Sequence, residues 1–234
     1  MKIELRISKR EKIIVFLILI LVLAYFFLLP AFPHFLFDKK TEKNNITIHY
    51  NDNFNENDLM KIISETTLKL KRSHFYNKDI KSEIFICNNK TLYVFLNPLN
   101  FKGFASNQVR YRNIFIANAY PEKNNSTTAF DKNRTEKLTN LLAHEINHGF
   151  SKNFNGKTLK DWKEEGYAEY IAYDKKVNLK SEYNDSLNKN YWYIKRKCIV
   201  YYLLELKKIE MNEFVKNNYD LKKLNAEIIK HMKE

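Results

Sequence analysis

His144, Glu145 and His148 stand in the run Leu142-Ala143-His144-Glu145-Ile146-Asn147-His148-Gly149, an H-E-x-x-H sequence. On a helix four residues turn through about 400°, so the two imidazoles leave one face a single turn apart, as two ligands of one zinc ion must. Glu145 lies beside them, where a carboxylate serves as base toward water. Alone, the motif would also fit two exposed histidines next to a solvated Glu. A catalytic zinc ion takes three protein ligands and keeps one position open. Downstream comes Trp162-Lys163-Glu164-Glu165-Gly166-Tyr167-Ala168-Glu169-Tyr170, beyond a turn containing Asn153, Asn155 and Gly156. Two consecutive antiparallel helices would therefore bring His144, His148 and a Glu to one point.

The elements that position these residues are legible in outline. Residues 46–50 alternate as a strand, and 57–75 carry an imperfect helical stripe. Three runs rich in β-formers follow at 83–87, 91–96 and 113–119, separated by Asn and Pro. From residue 134 onward the pattern is helical, with helices expected near 134–150, 158–176, 187–208 and 211–232. The expected fold class is α+β: a small mixed sheet followed by a helical half, in one domain over residues 46–234.

Ahead of that domain, residues 13–29 form an uninterrupted apolar run, and 13–32 are long enough for a membrane span at about 1.5 Å per residue. Lys2, Arg6, Lys9, Arg10 and Lys12 precede it, which favours a cytoplasmic N-terminus. The run exceeds the apolar core of a cleaved signal, and Leu-Leu-Pro-Ala-Phe offers no small-x-small site. The expected order is thus a cytoplasmic basic tail (1–12), a transmembrane signal-anchor helix (13–32), a tether (33–45) and an extracytoplasmic domain, an arrangement of bacterial type.

Composition narrows the partners. With 40 Lys+Arg against 27 Asp+Glu the chain carries +13, yet only 7 of the 40 cations are Arg and no base-reading motif is present, so nucleic acid is not an expected partner. A positive field favours anionic envelope polymers or lipid headgroups. Only 2 Cys and 4 Gly exclude a disulfide scaffold or a collagenous chain. Cys87 and Cys198 are either one distant pair or two buried thiols. His34, His49 and His74 are expected at the surface or an interface rather than as ligands.

At the H-E-x-x-H run and the Trp162–Glu169 segment the sequence resembles the gluzincin metallopeptidases, the thermolysin-like and aminopeptidase-like clan. That resemblance implies a zincin-like domain, one zinc ion per chain and a peptide or protein substrate. It makes Glu165 the third ligand, directs Glu164 away, and gives Glu169 the role of orienting the first metal His through its other ring nitrogen. Glu145 would be the general base. For the donor that stabilises the oxyanion it favours Tyr193, in a downstream helix, with Tyr191 and His231 as alternatives. Residues 103–105 and the strand after them resemble a cleft-lining approach to the active-site helix. The competing function is a non-catalytic, membrane-tethered zinc module that binds a partner at the cell surface.

Overall fold

Ile48 and His49 point to opposite sides of one sheet, and this period-two alternation organises the molecule. The computed structural model describes residues 8–29, 31–108, 112–151, 159, 161–173, 177–184 and 191–233. Strands β1 (Lys39–Lys43), β2 (Ile46–Tyr50), β3 (Ser82–Ile86), β4 (Ala105–Gln108) and β5 (Asn113–Ile116) form a mixed sheet in the order β1-β2-β3-β5-β4. β2, β3 and β5 are parallel, whereas β1 and β4 are antiparallel edges. Helix α2 (Glu56–Leu70) connects β2 to β3, and α3 (Lys90–Leu96) lies between β3 and β4.

Ile46, Ile48, Ile84, Ile86, Ile114 and Ile116 belong to the main core, with Leu59, Ile62 and Ile63 of α2. The alternate residues Phe85, Phe115, Cys87 and Ala117 form a smaller cluster with Phe37, Tyr93 and Leu96. Both faces of the parallel strands are therefore covered.

After β5 an antiparallel sheet of β6 (Asn118–Tyr120), β7 (Asn125–Thr127) and β8 (Thr135–Lys137) leads into the helical half. Its helices are α4 (Leu138–Ser151), α5 (Asp161–Ala172), α6 (Leu179–Asn184), α7 (Tyr191–Tyr201), α8 (Met211–Lys216) and α9 (Leu221–His231). The α+β class with a mixed sheet thus agrees with expectation.

The membrane span does not. Among the described residues no helix is long and apolar enough to cross a membrane. Helix α1 (Lys9–Leu28) begins with the charged Lys9, Arg10, Glu11 and Lys12, behind the capping Ser8. Its remaining 16 residues rise about 24 Å, short of the roughly 30 Å of a hydrocarbon core. It ends at Leu28 with Leu29 as its C-cap, two residues ahead of a proline in the sequence. Near its end Tyr25 donates to the Phe95 carbonyl at 2.5 Å. The single-pass location with an extracytoplasmic domain accordingly lacks its helix. Within residues 33–45, expected as a tether, lie the 3-10 turn Pro33–Leu36 and β1.

Local expectations fail in informative ways. Residues 91–96, read as a strand, are the helix α3, because the Asn89 side chain accepts from the Thr91 and Leu92 amides and caps its start. Residues 211–232 divide into α8 and α9, with Asp220 capping the second. Cys87 and Cys198 are buried and unbonded; burial pushes the Cys198 thiol up to about 12.

Candidate metal centre

Helix α4 buries Leu138, Leu142 and Ile146 in the main core, a spacing of four residues that points one stripe inward. His144 and His148 occupy a neighbouring stripe. Behind them, Ser73 Oγ donates to Asn147 Oδ1 at 2.8 Å and the His74 amide donates to the Tyr167 hydroxyl at 2.8 Å, tying α4 and α5 to the end of α2.

Helix α5 is held at both ends. Lys69 Nζ donates to the Ala172 carbonyl at 2.8 Å, and the Arg72 guanidinium to those of Ile171 and Tyr173, so cations meet the C-terminal carbonyls. At its other end the buried Lys163 ammonium donates to the carbonyls of Phe214, Val215 and Asn217. Gly166 faces α7 at a separation that excludes a side chain: a Cβ there would lie 2.8 Å from the Arg196 carbonyl oxygen. The glycine after Glu165 thus sets how closely α5 meets α7.

This packing brings His144, His148 and Glu165 together as a group able to hold a metal ion. The two Nε2 atoms are 3.0 Å apart; Glu165 places Oε2 3.5 Å from His144 Nε2 and Oε1 3.8 Å from His148 Nε2. Ligands at about 2.0–2.1 Å from a tetrahedral ion lie about 3.3 Å from one another, close to these three separations.

The outer nitrogens have acidic neighbours of their own. His148 Nδ1 is 3.0 Å from Glu164 Oε1, and His144 Nδ1 is 3.5 Å from Glu169 Oε1. A carboxylate accepts, so in a neutral ring that turns Nδ1–H toward it the Nε2 presents a lone pair. With both rings neutral in that form, two lone pairs and a carboxylate converge. A proton satisfies one such pair, whereas a metal ion satisfies all three. A proton can take this place on His144: burial lowers its pKa, but Glu165, Glu169 and Glu145 outweigh it and raise it to about 9. A field of that sign attracts any cation.

Glu169 Oε1 stands 3.5 Å from His144 Nδ1; burial raises its pKa while His144 opposes. Glu164 does not point away: it holds His148 as Glu169 holds His144. Successive helical residues differ by about 100°, and His148 reaches into the angle between Glu164 and Glu165. Replacing Glu164 with Gln is expected to weaken metal affinity about 10- to 100-fold, the usual cost of losing such a partner. Competition with a chromophoric chelator measures this, and unchanged affinity would leave Glu164 as an ordinary surface acid.

A cleft of about 450 Å³ opens over the three residues, and Glu145 and Tyr193 line it. The Tyr193 ring is edge-on to His144 at 6.5 Å; burial and the Glu165, Glu169 and Glu145 charges raise its pKa. His231 instead packs against Tyr202, 5.7 Å between ring centres. The Tyr191 side chain, and Asn153, Asn155 and Gly156, lie outside the described residues. Gly103, Phe104 and Asn107 form one wall, and Asn107 Nδ2 donates to the Glu145 carbonyl at 2.5 Å, joining the edge strand β4 to α4. No spacing in the sequence marked Asn107.

No protein-family model matches this chain, and no curated protein sequence does. The site's reading therefore rests on its geometry.

Proposed function

We propose that the chain is a zinc-dependent peptidase. The observation that supports this most directly is the pair of facing Nε2 atoms, 3.0 Å apart, with Glu165 closing the triangle and each Nδ1 beside its own carboxylate. Two imidazoles and one carboxylate are a donor set suited to catalytic zinc, which keeps a fourth position open. When bound, zinc supplies Lewis acidity that polarises a carbonyl and favours ionisation of water near neutral pH.

The remaining steps belong to the chain. His144, His148 and Glu165 bind the ion; Glu164 and Glu169 hold the two imidazoles in register. Glu145 takes a proton from the attacking water and returns it to the leaving amine, so the peptide bond is exchanged for an acid and an amine. The Tyr193 hydroxyl, in the lining of the cleft, donates to the oxygen on which negative charge develops. An extended peptide is the substrate class that fits an open cleft walled by an edge strand.

Zinc content of the purified full chain, measured beside Glu165→Gln with hydrolysis of an unfolded protein followed in parallel, tests this reading. One equivalent of zinc that weakens in Glu165→Gln, together with hydrolysis that a chelator stops and zinc restores, is the expected result. Zinc without hydrolysis would favour a binding module, and no zinc dependent on Glu165 would overturn the proposal.

A further inference from the structure

His34, His49 and Glu83 converge on the other face of the main sheet. His34 comes from the 3-10 turn Pro33–Leu36, His49 from β2 and Glu83 from β3. In the parallel register of β2 and β3, Thr47 lies opposite Glu83 and His49 opposite Phe85, so these side chains share the face that carries the smaller apolar cluster. The buried His49 ring stacks on Phe85 at 4.7 Å and sets Nε2 2.7 Å from Glu83 Oε2. His34 stands edge-on to both rings, at 5.0 Å from His49 and 5.3 Å from Phe85, with its Nε2 3.9 Å from that same carboxylate oxygen.

A histidine–carboxylate pair would account for His49 and Glu83 alone. It does not account for a second imidazole directed at the same oxygen. One ligand atom from each residue lies within 4.8 Å of the other two, and the two contacts to Glu83 Oε2, 2.7 and 3.9 Å, fall on either side of the roughly 3.3 Å between ligands of a tetrahedral ion. His49 and Glu83 are fixed by adjacent strands, while His34, half-exposed on a short turn, is the ligand able to close. Phe85 and Phe37, in ring contact at 5.2 Å, form an apolar floor under the group.

We infer that His34, His49 and Glu83 form a second site for a divalent transition-metal ion, one that fastens the segment ahead of β1 to the sheet. Two imidazoles and a carboxylate suit zinc, and equally nickel or copper. Lys40, opposite His49 in β1, places a positive charge within reach of both His34 and Glu83 and makes this site the weaker of the two. The inference shares no residue with the peptidase proposal and does not depend on it.

Equilibrium dialysis of the chelator-stripped full chain against zinc tests it, with thermal midpoint as a second readout. Two equivalents are expected in the wild type, one in His34→Gln, one in the His144→Gln, His148→Gln double variant, and none when all three changes are combined. The half-exposed position of His34 makes His34→Gln a mild change, so its midpoint in chelator should equal that of the wild type. Zinc should raise the midpoint of the double variant and leave the triple variant unmoved. The inference is overturned if the double variant binds no zinc, or if its zinc survives both His34→Gln and Glu83→Gln. Failure of the α4 and α5 site would remove the other equivalent and leave this one.

Discussion

Glu145→Gln is expected to lower peptide hydrolysis about 100- to 10,000-fold while leaving metal content unchanged, because the amide keeps the shape of the carboxylate and loses its basicity. Metal content should be unchanged because Glu145 is not in the group that could hold an ion, which is His144, His148 and Glu165. The measurement is initial rate on an unfolded protein substrate, with elemental analysis of the same sample. A variant that kept metal and full rate would remove Glu145 from the chemistry; one that lost metal would make it a ligand and call for a different base. The asymmetry with Glu165→Gln, where metal and rate fall together, separates the two carboxylates by role.

Gly166→Ala is expected to destabilise the fold by about 2 kcal/mol, within the range for overpacking a tight contact. Two effects oppose one another at this position. Alanine is the better helix former by about 1 kcal/mol, but its Cβ would stand 2.8 Å from the backbone oxygen of Arg196 and 2.9 Å from Val200 Cγ2. A backbone oxygen inside a helix cannot swing aside, so α7 must move and the steric effect wins. In a chain of this size the thermal midpoint should fall by roughly 4–8 °C. Glu165 is the adjacent residue, so metal affinity should fall as well, whereas an exposed glycine would give a higher midpoint and unchanged metal binding.

The parts of the site that were legible in the sequence are those whose geometry is local. His144 and His148 are four apart on one helix, as are Glu165 and Glu169 on the next, and a helix converts such spacing directly into a shared face. The mutual position of α4 and α5 was legible only as a pair of consecutive helices. Glu164 went astray because the choice between neighbouring carboxylates depends on helix rotation to within tens of degrees, which α7 and the Lys163 and Arg72 contacts set. The group of His34, His49 and Glu83 left no signal, since it arises from strand register and a turn distant in sequence.

The fold shows the same division. β2 and β3 alternate or run apolar and were read as strands; β1 (KKTEK), β4 (ASNQ) and β7 (NST) are short, polar or at an edge and carry little such pattern. A lysine-rich edge strand with only Thr41 buried discourages pairing with another chain, and the same charges conceal it in the sequence. In α3 a run of β-branched and aromatic residues gave way to one capping side chain, Asn89, and the burial of Tyr93 and Leu96 on one face.

The ligands of the candidate centre and their supporting carboxylates all fall within residues 144–169, whereas the main sheet joins segments spread from Lys39 to Ile116 through parallel crossovers. The first joins two segments close in sequence; the second joins distant ones, whose entropy must be surrendered before their contacts form. An ion present while the chain is still unfolded therefore has a compact target in the pairing of α4 with α5, ahead of sheet assembly. Metal added before refolding should accelerate it, and the order of addition becomes a variable of the folding rate as well as of final stability.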